Sequence, residues 1–410
     1  MKPEIKQRIE QINNGIVPDG YKKTEFGVFP CDWVTDKTID NVCQINPKTG
    51  NLPEKFIYLD LESVLDRKIV EKQIIEKHNA PSRAQRVLLP NDIIYQVVRP
   101  YQKNNFFFRS EDKEYKTVAS TGYALLRSKM QSFLFQLVHS DYFVNQVNVK
   151  CTGTNYPAIN GDDLSKVKVA YPTNTKEQEK IAEILMKWDE AIELQEEYIE
   201  KLIVKKDKII HELLRPQKDW IKTTLSKVLI EKSERTKINN QHQDLSSTKL
   251  GLVAQSDYFD KQVASEDNIG YKIIHKDDIV ISPQNLWLGN INYNDKFRIG
   301  IVSPSYKTFE VNKEYDKLFI ATLMKTPRML NQYILSSEQG ASVVRRNLNM
   351  DLFYAIPICV PCLEEQRRIS RIIKTIQSSY KLEKEKLDAI KQQRKALQQY
   401  LLNGIVRVPK

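Results

Sequence analysis

Two stretches of the chain carry the same heptad pattern, and a heptad stripe is buried only against a partner helix. In the first, from about Lys176 to Leu214, seam residues fall at Ile181, Leu185, Trp188, Ile192, Gln195, Ile199, Leu202, Lys206, Ile209 and Leu213. In the second, from about Leu363 to Leu402, they fall at Ile369, Ile373, Ile376, Tyr380, Glu383, Leu387, Ile390, Arg394, Leu397 and Leu401. Each position of the second series lies 188 residues after its counterpart (369 − 181, 401 − 213). The polar interruptions coincide as well, Gln195 with Glu383 and Lys206 with Arg394. The chain is therefore an internal duplication, and a whole globular segment separates the two helices.

The charges say which helix each one pairs with. Lys176 to Leu214 holds seven Lys against eleven Asp and Glu, whereas Leu363 to Leu402 holds ten Lys and Arg against five acids. Opposite net charge favours pairing of the two with each other over pairing with copies of themselves. The pseudo-twofold symmetry of the repeat predicts an antiparallel pair, a rod of roughly 48 Å between residues 181 and 213 at ~1.5 Å per residue.

Residues 3–14 predict a short amphipathic helix with Ile5, Ile9 and Ile12 on one face. It ends in Asn14-Gly15-Ile16-Val17, and the chain's last helix exits through Asn403-Gly404-Ile405-Val406. The repeat is thus circular, with the tail of the second unit reappearing ahead of the first. Asp32-Trp33 opens one globular unit and Asp219-Trp220 the other. Strands are expected at Phe56–Leu61, Arg86–Leu89, Ile93–Val98, Tyr123–Leu126 and Val167–Ala170 in the first unit, and at Tyr271–Ile274, Ile279–Ser282, Tyr306–Val311 and Ala355–Val360 in the second. One helix is expected in each, Ser132–Val149 and Tyr315–Leu335. Asp92-Ile93-Ile94 matches Asp278-Ile279-Val280, and Glu177-Gln178 matches Glu365-Gln366, while the residues between differ. Such modules share a frame and recognise different things.

The fold class expected is α/β (α+β): two similar mixed α/β domains separated by two long antiparallel coiled-coil helices in a circular pseudo-twofold repeat. The divisions are 1–31 (a segment completing the repeat), 32–175 (first globular domain), 176–215 (first long helix), 216–362 (second globular domain) and 363–410 (second long helix and tail).

Composition narrows the function. The chain has 410 residues, 41% hydrophobic and 28% charged, with net charge +11 and pI near 9.1. A polyanion such as nucleic acid is the partner that such a balance suits. No apolar run approaches the ~20 residues of a membrane span, and the N-terminus has no signal-peptide pattern. Five irregularly spaced cysteines fit reduced thiols, so a cytoplasmic location is expected.

Several chemistries lack their motifs. There is no GxxxxGK[ST] phosphate loop and no Asn/Asp-Pro-Pro-aromatic methyltransferase tetrapeptide; Asn46-Pro47-Lys48 and Ser282-Pro283-Gln284 lack the second proline. Cys359-x-x-Cys362 is a lone pair, the five histidines are scattered, and no metal site is expected. Asp92 followed by Glu111-Asp112-Lys113 is a short nuclease-like pattern that would bind Mg²⁺. The competing reading is that Asp92 and Asp278 each hold a turn before a buried strand.

What remains is contact chemistry. Arg83, Arg86, Arg99, Lys103 and Arg109 lie near Gln96, Tyr101, Asn104 and Asn105, with Asn155 and Tyr156 in a later loop. Gln284, Asn285, Trp287, Asn290, Asn292, Lys296 and Arg298 form a comparable stretch in the second unit, with Arg345 and Arg346 beyond. Arginine with Asn or Gln in loops is the set that reads base edges: Arg bidentate to guanine, Asn or Gln to adenine. These residues are the candidate DNA contacts, and no residue is a catalytic candidate under this reading.

The chain resembles the specificity subunit of type I restriction–modification systems. The helix starts Glu177-Gln178-Glu179-Lys180-Ile181 and Glu365-Gln366-Arg367-Arg368-Ile369 carry the resemblance, with Ile159-Asn160, Leu348-Asn349, Asp32-Trp33, Asp219-Trp220 and the circular repeat. It covers essentially the whole chain. One departure is Pro172-Thr173-Asn174-Thr175-Lys176, which stands where an apolar-proline run is usual. The resemblance implies a non-catalytic DNA-recognition subunit in which each domain reads one half of a bipartite asymmetric site. It implies that the helices set the spacer and dock two methyltransferase subunits, and that motor–nuclease subunits join. Double-stranded DNA would be the ligand, while S-adenosylmethionine, ATP and Mg²⁺ would belong to the partner subunits. A stand-alone DNA nuclease built on Asp92, Glu111 and Lys113 and a non-specific basic coiled-coil adaptor are the rival readings. The polar seam positions either set register or dock a partner.

Overall fold

A computed structural model describes residues 2–109, 112–248, 251–258, 267–339 and 346–408. They form two compact units, Met1–Glu197 with Glu385–Lys410, and Tyr198–Lys384. Each unit therefore takes the first half of one long helix and the last half of the other.

The first unit begins with helix α1 (Pro3–Asn13) and a hairpin of Tyr21–Thr24 with Gly27–Pro30. Its centre is the strand Asp92–Gln96, buried along its whole length. Alternation divides that strand between two cores, because successive side chains leave opposite faces. Ile93 and Tyr95 join the cluster that holds Phe133, Leu134, Phe143 and Val147 of the helices. Ile94 joins the cluster of Ile57, Leu59, Phe108 and Leu125 on the other face. One antiparallel sheet has the order Phe106–Phe108, Asp92–Gln96, Tyr123–Arg127, Gln44–Ile45. A second sheet has the order Gln73–Glu76, Lys55–Leu59, Thr117–Ser120, Ala84–Val87, and its central pair runs parallel.

Helices α2 (Gln131–Leu137) and α3 (Asp141–Lys150) occupy the stretch where a single helix was expected. The break falls at Val138-His139-Ser140, where the Ser140 hydroxyl caps the new helix by accepting from the Phe143 N–H at 3.4 Å. Helix α4 (Gly161–Ser165) is capped by Asn160, whose Oδ1 accepts from Asp163 N at 2.7 Å. Strand Lys168–Pro172, antiparallel to Trp33–Thr38, then leads into α5 (Thr175–Leu213).

The second unit repeats this order with a leaner outer layer. Its antiparallel sheet runs Ile291–Tyr293, Ile279–Ile281, Lys307–Val311, Leu229–Lys232, the arrangement of the first unit strand for strand. Ile279 and Ile281 face the helical core while Val280 faces Leu245, Ile274 and Val302. Short helices α6 (Leu225–Val228) and α7 (Gln255–Tyr258) precede α8 (Lys317–Leu323) and α9 (Pro327–Leu335). Here too the one expected helix is two: Asp316 caps α8, and Pro327 opens α9 at a position that needs no N–H. Asn349 caps α10 (Met350–Ala355), accepting from the N–H groups of Asp351 and Leu352. Strand Pro357–Val360 pairs with Ile221–Thr224 and leads into α11 (Leu363–Leu402).

The helix ends pack alike in both units. In the first, Ile181, Ala182 and Leu185 of α5 share a core with Leu401 and Leu402 of α11. In the second, Ile369 and Ile373 of α11 share one with Ile210, Leu213 and Leu214 at the end of α5. The start of one helix thus meets the end of the other within each unit, which is antiparallel pairing. Every seam position named from the heptads is buried or half-buried, whereas Leu194, Val204 and Leu382 off the seam are exposed. The matching glutamines do the same work: Gln178 Nε2 donates to Pro172 O at 2.7 Å and Gln366 Nε2 to Pro361 O at 2.8 Å.

The polar seam residues differ in use. Arg394 is 6% exposed. Its Nε and Nη2 donate to the two Asp189 oxygens at 2.8 and 3.1 Å, and Nη2 also reaches Gln136 Oε1 at 2.7 Å. It thereby ties α11 to α5 and to α2. Lys206 lies over the Tyr380 ring at 5.1 Å, a second cross-helix contact. Among the described residues no helix is long and apolar enough to cross a membrane.

Candidate nucleic-acid interface

In each unit two loops lie side by side at one end of the central strand. In the first they are residues 97–105, after Asp92–Gln96, and residues 151–160, between α3 and α4. Backbone lacing joins them: Arg99 N–H donates to Pro157 O at 2.7 Å, and Ile159 N–H to Val97 O at 3.0 Å. The second unit uses residues 282–290, after Ile279–Ile281, and the strand Arg346–Leu348 before α10. There Arg346 N–H donates to Gln284 O at 3.4 Å. Each first loop contains a single 3₁₀ turn, Pro100–Gln102 or Leu286–Leu288, closed by a left-handed residue, Lys103 or Gly289.

The candidate contacts divide into two groups. Some build the loops. Gln96 is 2% exposed; its Nε2 donates to Gln102 Oε1 at 2.9 Å and its Oε1 accepts from Asn104 N at 3.1 Å. Asn105, 1% exposed, accepts from Gln96 N at 2.8 Å and donates from Nδ2 to His139 Nε2 at 3.3 Å. Asn104 accepts from Asp66 N, and Lys103 donates to Asp141 Oδ1 at 3.0 Å. In the second unit Asn290 and Asn292 bond Ser247, and Asn292 Oδ1 accepts from Lys325 Nζ at 3.2 Å. Asn285 gives its backbone carbonyl to Leu288 and Asn290. The sequence placed these amides in the right loops, but the fold turns several of them inward, where burial demands a partner.

The other group faces outward. Arg83, Asn155, Gln284, Arg298, Tyr101 and Tyr156 are exposed. Arg109 is exposed over the Phe107 ring at 5.6 Å, and Lys296 is exposed. Arg86 is half-buried on the strand Ala84–Val87 with an unpaired Nε, and burial holds its guanidinium below the usual range. Arg345 lies outside the described residues. The Arg99 Cζ lies over the Tyr156 ring, 4.2 Å from its centroid, and the Arg346 Cζ over the Trp287 ring at 5.7 Å. Such contacts contribute about 0.5–1 kcal/mol at exposed sites. The sequence named these residues singly; nothing in it announced the pairing.

Asp92, the first carboxylate of the nuclease-like pattern, is committed to the fold. Asp92 takes Arg127 Nε on Oδ1 and Nη2 on Oδ2, each at 2.8 Å, and its Oδ2 also accepts from Leu89 N. Asp278 is held likewise by Lys232 Nζ and His275 N. Both fasten a turn to the start of a buried strand. Lys113 is exposed, Glu111 lies outside the described residues, and no acidic or His/Cys cluster fit for a metal occurs among the described residues. Cys359 and Cys362 are free thiols.

The frame is built twice, with basic and aromatic loops at matching places and paired helix ends at each base. The family model described as type I restriction modification DNA specificity domain matches residues 30–203 and again residues 218–392. The chain belongs to that family, and its role is to supply DNA sequence specificity in a type I restriction–modification system. Its fold is similar to that of a chain solved in a study of complex assembly and conformational transition of the type I R-M system, with TM-score 0.59 and 19% identity over 95% of this chain and 99% of that one. It is also similar to the S subunit of a type I restriction–modification system from M. genitalium, with TM-score 0.52 and 18% identity over 90% of this chain and 96% of that one.

Proposed function

We propose that each recognition domain reads one half of a bipartite, asymmetric DNA site and that the two long helices fix the unread spacer. The observation that carries this reading is the repeated sheet, strand for strand, under two loops whose residues differ between the units. One frame with two different reading surfaces suits two different half-sites. The buried or half-buried seam positions support a helix pair of set register. The helix pair also docks two methyltransferase subunits, and motor–nuclease subunits add to that core. This chain carries recognition and no chemistry; S-adenosylmethionine, ATP and Mg²⁺ sit on its partners. The complex works in the cytoplasm, where DNA is accessible.

Exchange of residues 32–175 for the corresponding segment of another specificity subunit tests the reading. The expected result is a methylation pattern changed in one half-site and kept in the other. A pattern changed in both halves, or footprints forming one contiguous patch, would overturn it. A seven-residue insertion in both helices adds ~10 Å and is expected to lengthen the spacer by about three base pairs at ~3.4 Å each.

A further inference from the structure

Resting on that reading, we infer that the Arg99–Tyr156 and Arg346–Trp287 pairs are the guanine-reading points of the two domains, one built as the exchange of the other. The same pair of loops supplies both. In the first unit the loop after the central strand gives the cation, Arg99, and the loop before the Asn-capped helix gives the ring, Tyr156. In the second unit the first loop gives the ring, Trp287, and the strand before the Asn-capped helix gives the cation, Arg346. The spacing to the cap is nearly equal, Tyr156 four residues before Asn160 and Arg346 three before Asn349. A guanidinium over a ring therefore stands at the corresponding place in both frames, with the cation and the ring on exchanged segments.

The chemistry of these pairs points to a ligand with paired acceptors. In both arginines Nε is buried without a hydrogen-bond partner. Neither arginine has an ion-pair partner among the described residues. Arg127, by contrast, is committed to the fold through Asp92. Arg99 and Arg346 are not. The ring accounts for one contact of each guanidinium, and its paired Nη donors have no hydrogen-bond partner among the described residues. Those donors match the N7 and O6 acceptors of guanine in the major groove. The ring contact also restricts the side chain beforehand, so less side-chain freedom is lost on binding. Arg99 itself sits at φ 55, a left-handed conformation rare for a non-glycine residue. Backbone strain of this kind persists where surrounding contacts hold it and gathers at ligand-binding positions; here the Arg99 N–H donates to Pro157 O. The buried amides Gln96, Asn104 and Asn105 then serve to hold this loop, and base contact falls to the arginine over the ring.

The test is selection of a randomised duplex library by the full chain in its assembled complex, with Arg99→Lys, Arg99→Gln, Arg346→Lys and Tyr156→Leu beside the unsubstituted protein. Lysine keeps the charge and loses the bidentate edge. Both Arg99 substitutions are expected to lower the preference for guanine at one position of one half-site by on the order of ten- to a hundredfold, with the other half unchanged. Arg346→Lys is expected to do so in the opposite half. Tyr156→Leu, which keeps the arginine and removes its ring contact, is expected to give a smaller loss at the Arg99 position. If Arg99→Gln weakens all sequences alike, reduces the salt slope by about one and is rescued by Arg99→Lys, the contact is a phosphate and the assignment falls. It falls equally if guanine preference is untouched. If the unsubstituted complex selects no two-part site, the parent reading fails instead, whatever the variants do.

Discussion

The Arg394 guanidinium of α11 lies across both carboxylate oxygens of Asp189 on α5, at 2.8 and 3.1 Å, with Gln136 of α2 and Gln398 as its further partners. Arg67 reaches the same carboxylate at 3.2 Å. One buried cation thus fixes the register of two helices and seats a recognition domain on them.

Arg394→Ala is expected to lower the stability of the first unit by about 3 kcal/mol, because removing one member of a largely buried pair strands the others. Arg394→Met, which keeps the packing volume, is expected to cost less, but it leaves Asp189 with only Arg67 and the Gln136 amide. Denaturant unfolding of the three proteins measures the difference. A loss under about 0.5 kcal/mol for Arg394→Ala, the size of a surface pair, would show that the contact does not set register.

His139 makes the same unit sensitive to acid. Full burial is the main cause of its depressed pKa, with Arg67, Arg394 and Lys103 adding to it. Its Nδ1–H donates to Phe135 O at 2.6 Å while Nε2 accepts from Asn105, which is the neutral ring. The unfolded chain protonates near 6.5 and the folded one well below, so the unfolded state binds the proton first. Stability is therefore full above about 6.5 and falls as pH drops beneath it, by roughly 1.4 kcal/mol per pH unit. Thermal melts from pH 7.5 to 5 are expected to show the fall, and His139→Gln to flatten it.

Gly404 and Gly15 occupy the two copies of the Asn-Gly-Ile-Val exit, at φ 67 and φ 74. A Cβ at Gly404 would stand 2.5 Å from Pro30 Cγ and 3.2 Å from Trp33, whereas at Gly15 nothing lies within 4 Å. Gly404→Ala should cost about 2–4 kcal/mol, the left-handed penalty plus overpacking. Gly15→Ala should cost about 1 kcal/mol, the left-handed penalty alone. Equal melting temperatures for the two variants would contradict this account.

Gln96→Ala is expected to act on stability before specificity. It removes partners from Gln102 and from the Asn104 N–H, and buried groups left unsatisfied cost about 1–3 kcal/mol. Library selection at a temperature where the variant is folded is expected to return the original half-site preferences. A changed base preference without loss of stability would place Gln96 at the DNA.

The sequence by itself determined the architecture. The heptad seams, the 188-residue offset and the Asp-Ile-Ile and Glu-Gln echoes are periodic and local, so they are visible without coordinates, and the seam residues named from them all lie buried or half-buried. The helix breaks were less legible. Val138-His139-Ser140 and Thr326-Pro327 interrupt helices whose apolar pattern runs straight on, and only the caps and packing at Ser140 and Pro327 show why. The use of each loop residue was not legible at all. Gln96, Asn105 and Asn292 have the composition of base readers, as Arg99 does, and differ from it only in which groups the folded chain brings within reach. Hydrophobic periodicity repeats along a chain, so sequence reveals it; a hydrogen bond between residues far apart depends on where the backbone carries them. Only the tertiary structure decided which polar side chains hold the loops and which stay free to meet DNA.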